Sequence, residues 1–335
     1  MVQEKCMIIA EAGVNHNGDV ELALRLCDAA KEAGADVVKF QTWITDKLIT
    51  RQVAQAEYQT SNLGVRQSQY DMLKELELSK KDFRKIKEYC DQIGIIFAST
   101  ADEPDSLDFL VSIGIPFIKV GSGEIGNIPY LRYMGSKRLP VILSTGMSSI
   151  SDVDMSINAL REGGAKDITL LHCTTSYPCP ASDVNIRAML TLRDAFHYPV
   201  GYSDHTVGME AAVAAVSLGA KVIEKHFTLD CDMKGPDHVA STEPAEFAKM
   251  VTAIRNVERM MGDGIKRPTI AEKNISKVVK KRIVASREIQ KGEAFSEHNI
   301  CVKRSDVGIP AMYWDMIIGN ISNRNYDIDE GIELL

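Results

Sequence analysis

The sequence predicts a (β/α)8 barrel of the TIM type followed by a small C-terminal β-rich domain. Three observations predict it. Eight short aliphatic runs recur through 7–228, separated by stretches whose apolar residues return at helical spacing. The runs are apolar almost throughout rather than alternating, which is the pattern of a parallel sheet covered by helices. Eight such units over about 250 residues match the size of this barrel. The rival arrangement, an open doubly wound sheet, would want a glycine-rich phosphate loop after the first strand. The segment there, EAGVNHNGD (11–19), is not one.

In order, the strand runs are MIIAEAGV (7–14), DVVKFQT (36–42), GIIFAST (94–100), FIKVGSGE (117–124), PVILSTG (140–146), DITLLHCT (167–174), PVGYSDHT (199–206) and KVIEKHFT (221–228). Between them, stretches such as 20–35 and 150–165 are amphipathic, and several close on glycine, a helix stop. The second unit carries a long excursion at 44–79, a length that in a barrel signals a lid or an interface. Near 263 the rhythm ends. The reading is a barrel over 1–263, a linker over 264–282 and a β-rich domain over 283–335, where short strand-like runs flank a Lys-Gly-Glu turn.

Composition excludes several classes of function. The 335 residues are 45% hydrophobic and 25% charged, ample for a large core, and the net charge of −7 argues against a nucleic-acid partner. The basic string KVVKKR (277–282) is short and reads as a solvated linker or helix face. The apolar run at the start meets Glu11 too soon for a signal or membrane segment, so no membrane association is expected. Seven cysteines without framework spacing indicate reduced thiols in the cytoplasm, and Cys173 and Cys179 read as packing residues.

In a barrel of this kind, side chains at the C-terminal strand ends face the active site. Polar chemistry crowds all eight ends: Glu11, Asn15 and His16; Lys39 and Gln41; Ser99 and Thr100; Lys119, Ser122 and Glu124; Ser144 and Thr145; His172, Thr174 and Thr175; Ser203, Asp204 and His205; Glu224, Lys225 and His226. His205 and His226 are separated by one helix-plus-strand repeat, so they face one point from adjacent strands, as metal ligands or as an acid/base pair. Two imidazoles suggest an open site for Mn²⁺ or Mg²⁺, whereas a structural zinc would want four closed ligands. Lys39 and Lys119 sit inside apolar runs, where an unpaired ammonium is costly. They read either as partners of Glu11 or Glu224, or as anion binders acting with the hydroxyls of Ser122, Ser144 and Ser203 on a phosphate plus a carboxylate. His172 and His16 have no assigned role, and His197 and His298 read as surface positions.

Together the strings IIAEAGVNHNGD, ADVVKFQT, FIKVGSGE, VILSTGM, LLHCTTSYPCP, GYSDHT, VIEKHFT and GPDH resemble the sialic acid synthase family, and 282–304 resembles its antifreeze-like (SAF) domain. The family condenses phosphoenolpyruvate with an N-acylated amino sugar. The resemblance implies a barrel, a divalent metal and a domain-swapped homodimer. It assigns the metal to His205 and His226 and proton handling to Glu11 and Glu224. Phosphoenolpyruvate falls to Lys39, Thr100, Lys119, Ser122, Ser144, Thr175 and Ser203, and the sugar to Tyr177, Asp237 and, across the dimer, Arg304. The strings AEYQ, QYDMLKELELS, HCTTSYP, VIEKHFTLD and IRNVE look closest to the legionaminic acid synthases, whose sugar is 2,4-diacetamido-2,4,6-trideoxymannose. The alternative is the branch that uses N-acetylmannosamine and typically has Asn where this chain has Thr175.

Two departures stand out. The family's Ser-Thr-Pro-Phe after the third strand is Ser99-Thr100-Ala101-Asp102 here, and its Lys-Arg-Pro-Gly loop becomes Lys303-Arg304-Ser305-Asp306. More distant alternatives are a Schiff-base aldolase using Lys119 or Lys39 and a non-catalytic binding protein.

Overall fold

The computed structural model describes residues 5–55 and 68–333. Eight parallel strands close into a barrel in chain order. They are β1 (Met7–Gly13), β2 (Val37–Thr42), β3 (Ile96–Ala101), β4 (Ile118–Val120), β5 (Val141–Ser144), β6 (Ile168–Cys173), β7 (Val200–Asp204) and β8 (Val222–His226). Strand β1 pairs with both β2 and β8, which closes the cylinder and removes every free edge.

The described helices of this part are α1 (Val20–Glu32), α2 (Thr45–Leu48), α3 (Gln69–Leu76), α4 (Lys80–Ile93), α5 (Pro104–Ser112), α6 (Ile128–Ser136), α7 (Ile150–Gly163), α8 (Ala188–Phe196), α9 (Glu210–Ser217) and α10 (Pro244–Met261). Local chemistry sets their starts. Asp19 caps α1, and Ser79 with Asp82 and Ser149 with Asp152 form reciprocal capping boxes on α4 and α7. In the 44–79 excursion, α3 buries Met72 and Leu76 against Val14 and Trp43. The AEYQ string at 56–59 lies outside the described residues.

Side chains alternate between the two faces of a strand, and the barrel uses the alternation in layers. The inward residues Ile9, Val37, Ala98, Phe117, Ile142, Leu171 and Val222 form an apolar plug. Two positions further along the same strands stand Glu11, Lys39, Thr100, Lys119, Ser144, Cys173 and Glu224. Strand β7 has Gly201 at the plug level, where a Cβ would come within 2.3 Å of the Val222 carbonyl oxygen. Only glycine lets β7 approach β8 this closely.

Outward residues pack against the helices as the main hydrophobic core. Asp204 and Lys225 belong to this outward set. Their ion pair is 2.7 Å long, with side chains 0% and 2% exposed, so two of the charges crowding the strand ends hold the barrel wall instead of lining its mouth.

One strand is shorter than its run in the sequence. FIKVGSGE reads as a single strand, yet β4 ends at Val120 and Ser122–Glu124 form a 3-10 turn. Gly121 and Gly123 offer nothing to pack on a pleated surface, so the chain leaves the ladder there.

The chain divides into two compact units, Met1–Gly262 and Asp263–Leu335. The second holds α11 (Ile270–Val279), an antiparallel pair of β9 (Lys281–Ala285) and β10 (Ile300–Arg304), and α12 (Trp314–Ile317) around a small core that includes Ile283, Phe295, Ile300 and Tyr326. The segment expected as plain linker, 264–282, thus contains a helix and the start of β9. Thr269 and Glu272 form the capping box that starts α11, which buries none of its residues. Among the described residues no helix is long and apolar enough to cross a membrane.

Candidate functional site

The polar layer at the C-terminal end of the barrel is a network of buried charge. Glu11, Lys39, Lys119 and Glu224 are 3%, 2%, 3% and 6% exposed. The Lys39 ammonium forms an ion pair with Glu11 Oε2 and lies 3.7 Å from Glu224 Oε2. Lys119 stands 3.3 Å from Glu224 Oε1 and donates to Ser144 Oγ at 2.8 Å. Lys39 donates to Thr100 Oγ1 at 3.0 Å, and Ser203 Oγ donates to Glu224 Oε1 at the same distance. Both readings of the lysines therefore meet in one place: each is paired with a carboxylate, and each touches a hydroxyl in the same cavity.

The two carboxylates are pushed apart in acidity. Burial raises Glu11 to about 7, with Glu224 adding repulsion while Lys39 pulls the other way. Glu224 is also penalised by burial, but Lys119 and Lys39 outweigh that penalty and hold it down at about 2. A permanently charged carboxylate thus sits beside one poised to gain or lose a proton near neutrality.

His226 ends β8 opposite Glu11 in the ladder, and His205 follows β7 directly. Their ring centroids are 5.4 Å apart, and the Tyr177 ring lies 4.3 Å from one and 5.6 Å from the other. The His205 Nδ1 faces the Thr174 carbonyl oxygen at 2.7 Å. That oxygen only accepts, so Nδ1 carries a proton. Burial, then repulsion from His205, depresses His226 to about 3, which keeps it neutral. Its Nδ1 is buried and without a hydrogen bond among the described residues. Two imidazoles converging in this way can both ligate one divalent cation. Among the described residues no group of three or more His, Cys, Asp or Glu is arranged to hold a metal. His205 and His226 are the two side chains that could ligate such a cation from this wall of the cavity.

A cavity of about 210 Å³ unites these groups with Thr100, Asp102, Ser122, Ser144, Cys173, Thr175, Tyr177 and Ser203. Ser122 Oγ accepts from the Gly146 amide at 2.9 Å. A Cβ at residue 146 would lie 2.3 Å from Thr175 Oγ1 and 2.8 Å from Ser122 Oγ, so glycine there keeps both hydroxyls in place. Thr175 itself is exposed at the mouth. A second cavity, of about 240 Å³, adjoins the first and includes Asp237. Gln41, Tyr177 and His226 line both.

Other positions fall elsewhere. Cys173, read as packing, lines the cavity with Sγ 3.8 Å from His205 Nδ1. His172 bonds the Val184 carbonyl and His16 accepts from the Gly18 amide, both structural roles, while His197 and His298 are exposed. Arg304 ends β10 in the second unit, exposed to solvent. Gln41, left without a role by the sequence, donates to Glu11 Oε1 at 3.1 Å. Its signal was present, since it stands two residues after Lys39 and shares its inward face.

Residues 26–266 match the model of the NeuB family, and 281–332 match the SAF domain. The chain belongs to the NeuB family. It is 45% identical over 329 residues to the N,N'-diacetyllegionaminic acid synthase of Campylobacter jejuni, covering 98% of each chain. It is 44% identical to the enzyme of the same name from Legionella pneumophila, covering 98% of this chain and 93% of that one. Among solved structures, the N-acetylneuraminic acid synthetase of Leptospira borgpetersenii, in complex with citrate, superposes with a TM-score of 0.71 at 35% identity, over 81% of this chain and 90% of that one.

Asp102 follows β3 directly and lines the cavity with Thr100. Burial raises its carboxyl from 3.8 to about 7, with Glu124 adding to the rise and Lys39 opposing it. Below pH 4 the acid is neutral folded or unfolded. Between pH 4 and 7 only the folded state holds the proton, so stability falls as pH rises, and above pH 7 the full penalty applies. Asparagine mimics the neutral acid. Asp102→Asn is therefore expected to match the wild type near pH 4 and to exceed it above pH 7, by at most on the order of 4 kcal/mol and less where solvent at the mouth screens the charge. Urea unfolding of both proteins at pH 5 and pH 8 measures the gap; an equal gap at the two values would show that Asp102 is not buried as an acid.

Proposed function

We propose that the protein condenses phosphoenolpyruvate with an open-chain 2,4-diacetamido-2,4,6-trideoxymannose to give N,N'-diacetyllegionaminate and phosphate. The observation that carries this reading is the pair of buried lysines beside two imidazoles in one cavity, which suits a small dianion next to a carbonyl. The identity to two legionaminic acid synthases supports this sugar over N-acetylmannosamine.

In this reading Lys39 and Lys119 bind the phosphate and carboxylate of phosphoenolpyruvate. The hydroxyls of Thr100, Ser122, Ser144, Thr175 and Ser203 fix its orientation. Tyr177 and Asp237 hold the sugar so that its aldehyde faces the imidazoles. A divalent ion on His205 and His226, Mn²⁺ or Mg²⁺, would supply Lewis acidity to the carbonyl. The methylene carbon of phosphoenolpyruvate attacks the aldehyde carbon, water adds at C2, and phosphate departs by C–O cleavage to leave the 2-keto acid. Glu11, poised near neutrality, takes and returns the protons of water and hydroxyl. Glu224, held ionised, orients the two ammonium groups and faces the cationic carbon.

The exposed Arg304 is assigned to the sugar in the site of a second copy, within a domain-swapped homodimer. The seven free cysteines fit a reducing compartment, the cytoplasm. A Schiff-base route through Lys39 is disfavoured: burial alone would depress its basicity, but Glu11 and Glu224 outweigh burial and raise it, whereas a nucleophilic lysine needs a depressed one. Side-by-side kcat/KM on the two sugars, read by phosphate release, tests the proposal. The expected result is a clear preference for the diacetamido sugar; a preference for N-acetylmannosamine overturns it.

A further inference from the structure

Asp204 and Lys225 immediately precede the two histidines and point away from the cavity, into the barrel wall. At the same level on three other strands the outward residue is apolar. Phe40, Ala101 and Val120 follow Lys39, Thr100 and Lys119 and belong to the main core. Packing therefore asks for no charge at this level. Nor is a buried ion pair a source of stability in itself, since an apolar pair of similar volume is often as good or better. What hydrogen-bonded charges add is direction, which an apolar contact lacks.

The last residue pair of the β7–β8 ladder is Asp204 with Lys225, one residue short of both histidines. Side chains carry the connection further. Lys225 Nζ donates to Asp204 Oδ2 and to the Thr206 carbonyl oxygen, both at 2.7 Å. Asp204 Oδ1 accepts from the Thr206 amide at 2.9 Å and from its hydroxyl at 2.8 Å. The residues on either side of His205 are thus bound to the residue before His226. The two rings differ in what holds them. His205 has an anchor of its own in the Thr174 carbonyl. His226 Nδ1 is buried and has no hydrogen bond among the described residues. The 5.4 Å between the ring centroids therefore depends, on the His226 side, on how the backbone of β8 is held against β7.

We propose that Asp204 and Lys225 are positioning residues of the reaction: with Thr206 they lock the ends of β7 and β8 together and set the separation at which His205 and His226 reach one divalent cation. This rests on the reading of the imidazole pair given above and names what fixes its geometry.

The test uses the double variant Asp204→Asn/Lys225→Met in the full-length protein. It leaves no buried charge unpaired, nearly conserves volume and keeps an acceptor for Thr206, so the melting temperature is expected close to that of the wild type while the link between the strands is cut. Mn²⁺ affinity of the metal-stripped protein is read from the electron paramagnetic resonance of free Mn²⁺, with His226→Ala marking the level of binding elsewhere. The expected result is a loss of about 10–100-fold in affinity, the scale for groups that hold a ligand from behind. At fixed Mn²⁺, kcat is expected to fall by about tenfold or more. The KM for phosphoenolpyruvate is expected to stay within about twofold of the wild type, because Lys39 and Lys119 stand on β2 and β4. Unchanged Mn²⁺ affinity overturns the proposal, and so does a KM for phosphoenolpyruvate that rises as much as kcat falls, the mark of a mouth loosened as a whole. If the double variant does not fold, Asp204→Asn alone carries the test: a smaller loss of Mn²⁺ affinity supports the clamp, and no loss overturns it. A wild type that binds no more Mn²⁺ than His226→Ala overturns the metal reading instead. The crystal structure of the metal-free double variant then decides the clamp: rings displaced by about 1 Å or more support it, and rings at the wild-type spacing overturn it.

Discussion

Alanine at His226 is expected to lower kcat by about 10³-fold while the fold survives. The ring is neutral in the folded protein, so its removal strands no buried charge. What is lost is half of the imidazole pair facing the junction of the two chambers. Lewis-acid assistance at a carbonyl is worth several kcal/mol, and each 1.36 kcal/mol is a factor of ten, which sets the scale at about 10³. Phosphate release measures kcat, and a thermal melt close to the wild type verifies the fold. Exhaustive chelation should bring the wild type down to the level of the variant, and Mn²⁺ or Mg²⁺ should restore the wild type only. A wild-type enzyme that keeps full activity after chelation would remove the metal from the account.

Methionine at Lys39 should be nearly as damaging, for two separable reasons. Among the described residues Lys39 is the one ammonium close to both carboxylates: it pairs with Glu11 and lies 3.7 Å from Glu224. Its loss leaves two buried carboxylates facing each other, and breaking a buried pair costs about 3–5 kcal/mol. The cost should depend on pH. Glu11, already raised to about 7, rises further without Lys39, so the stability lost on mutation is smaller at pH 5, where Glu11 is protonated, than at pH 8. The second reason is substrate binding. Losing a buried cation for the dianion should reduce kcat/KM for phosphoenolpyruvate by about 10²–10³-fold. The double variant Lys39→Met/Glu11→Gln separates the effects: it should regain most of the stability and none of the activity. Urea unfolding and steady-state kinetics on the three proteins suffice. A single variant that is as stable at pH 8 as at pH 5 contradicts the network, and one with an unchanged KM for phosphoenolpyruvate contradicts the binding role.

The residues show why parts of this site are legible without coordinates. A parallel strand buried on both faces is apolar by necessity, so a lysine or glutamate within one is conspicuous. Glu11, Lys39, Lys119 and Glu224 are all visible in this way, at the ends of runs that are otherwise aliphatic. Which face each charge takes is harder to see. Strand parity moves Asp204 and Lys225 outward into a structural pair while their neighbours Ser203 and Glu224 turn inward, and a list of polar strand ends treats them alike. The shortened β4 has the same origin: Gly121 and Gly123 break the ladder, though the run around them looks continuous.

By itself, the sequence determined the barrel, its strand order, the tail domain and the roster of ionisable side chains at the mouth, because these follow from local periodicity and from the cost of burying charge. The tertiary structure alone decided the electrostatic roles. Glu11 and Glu224 are the same kind of acid in nearly the same kind of strand. One is pushed up to about 7 and the other held near 2 because Lys119 and Ser203 reach only the second. It also decided the second chamber. Met72, Leu73 and Leu76 are ordinary apolar residues of an amphipathic helix, and nothing in their spacing distinguishes a wall facing a cavity from one facing the core. That difference depends on where α3 docks against Val14 and Trp43, a contact between segments far apart in the chain, and such contacts leave no periodic trace in either segment.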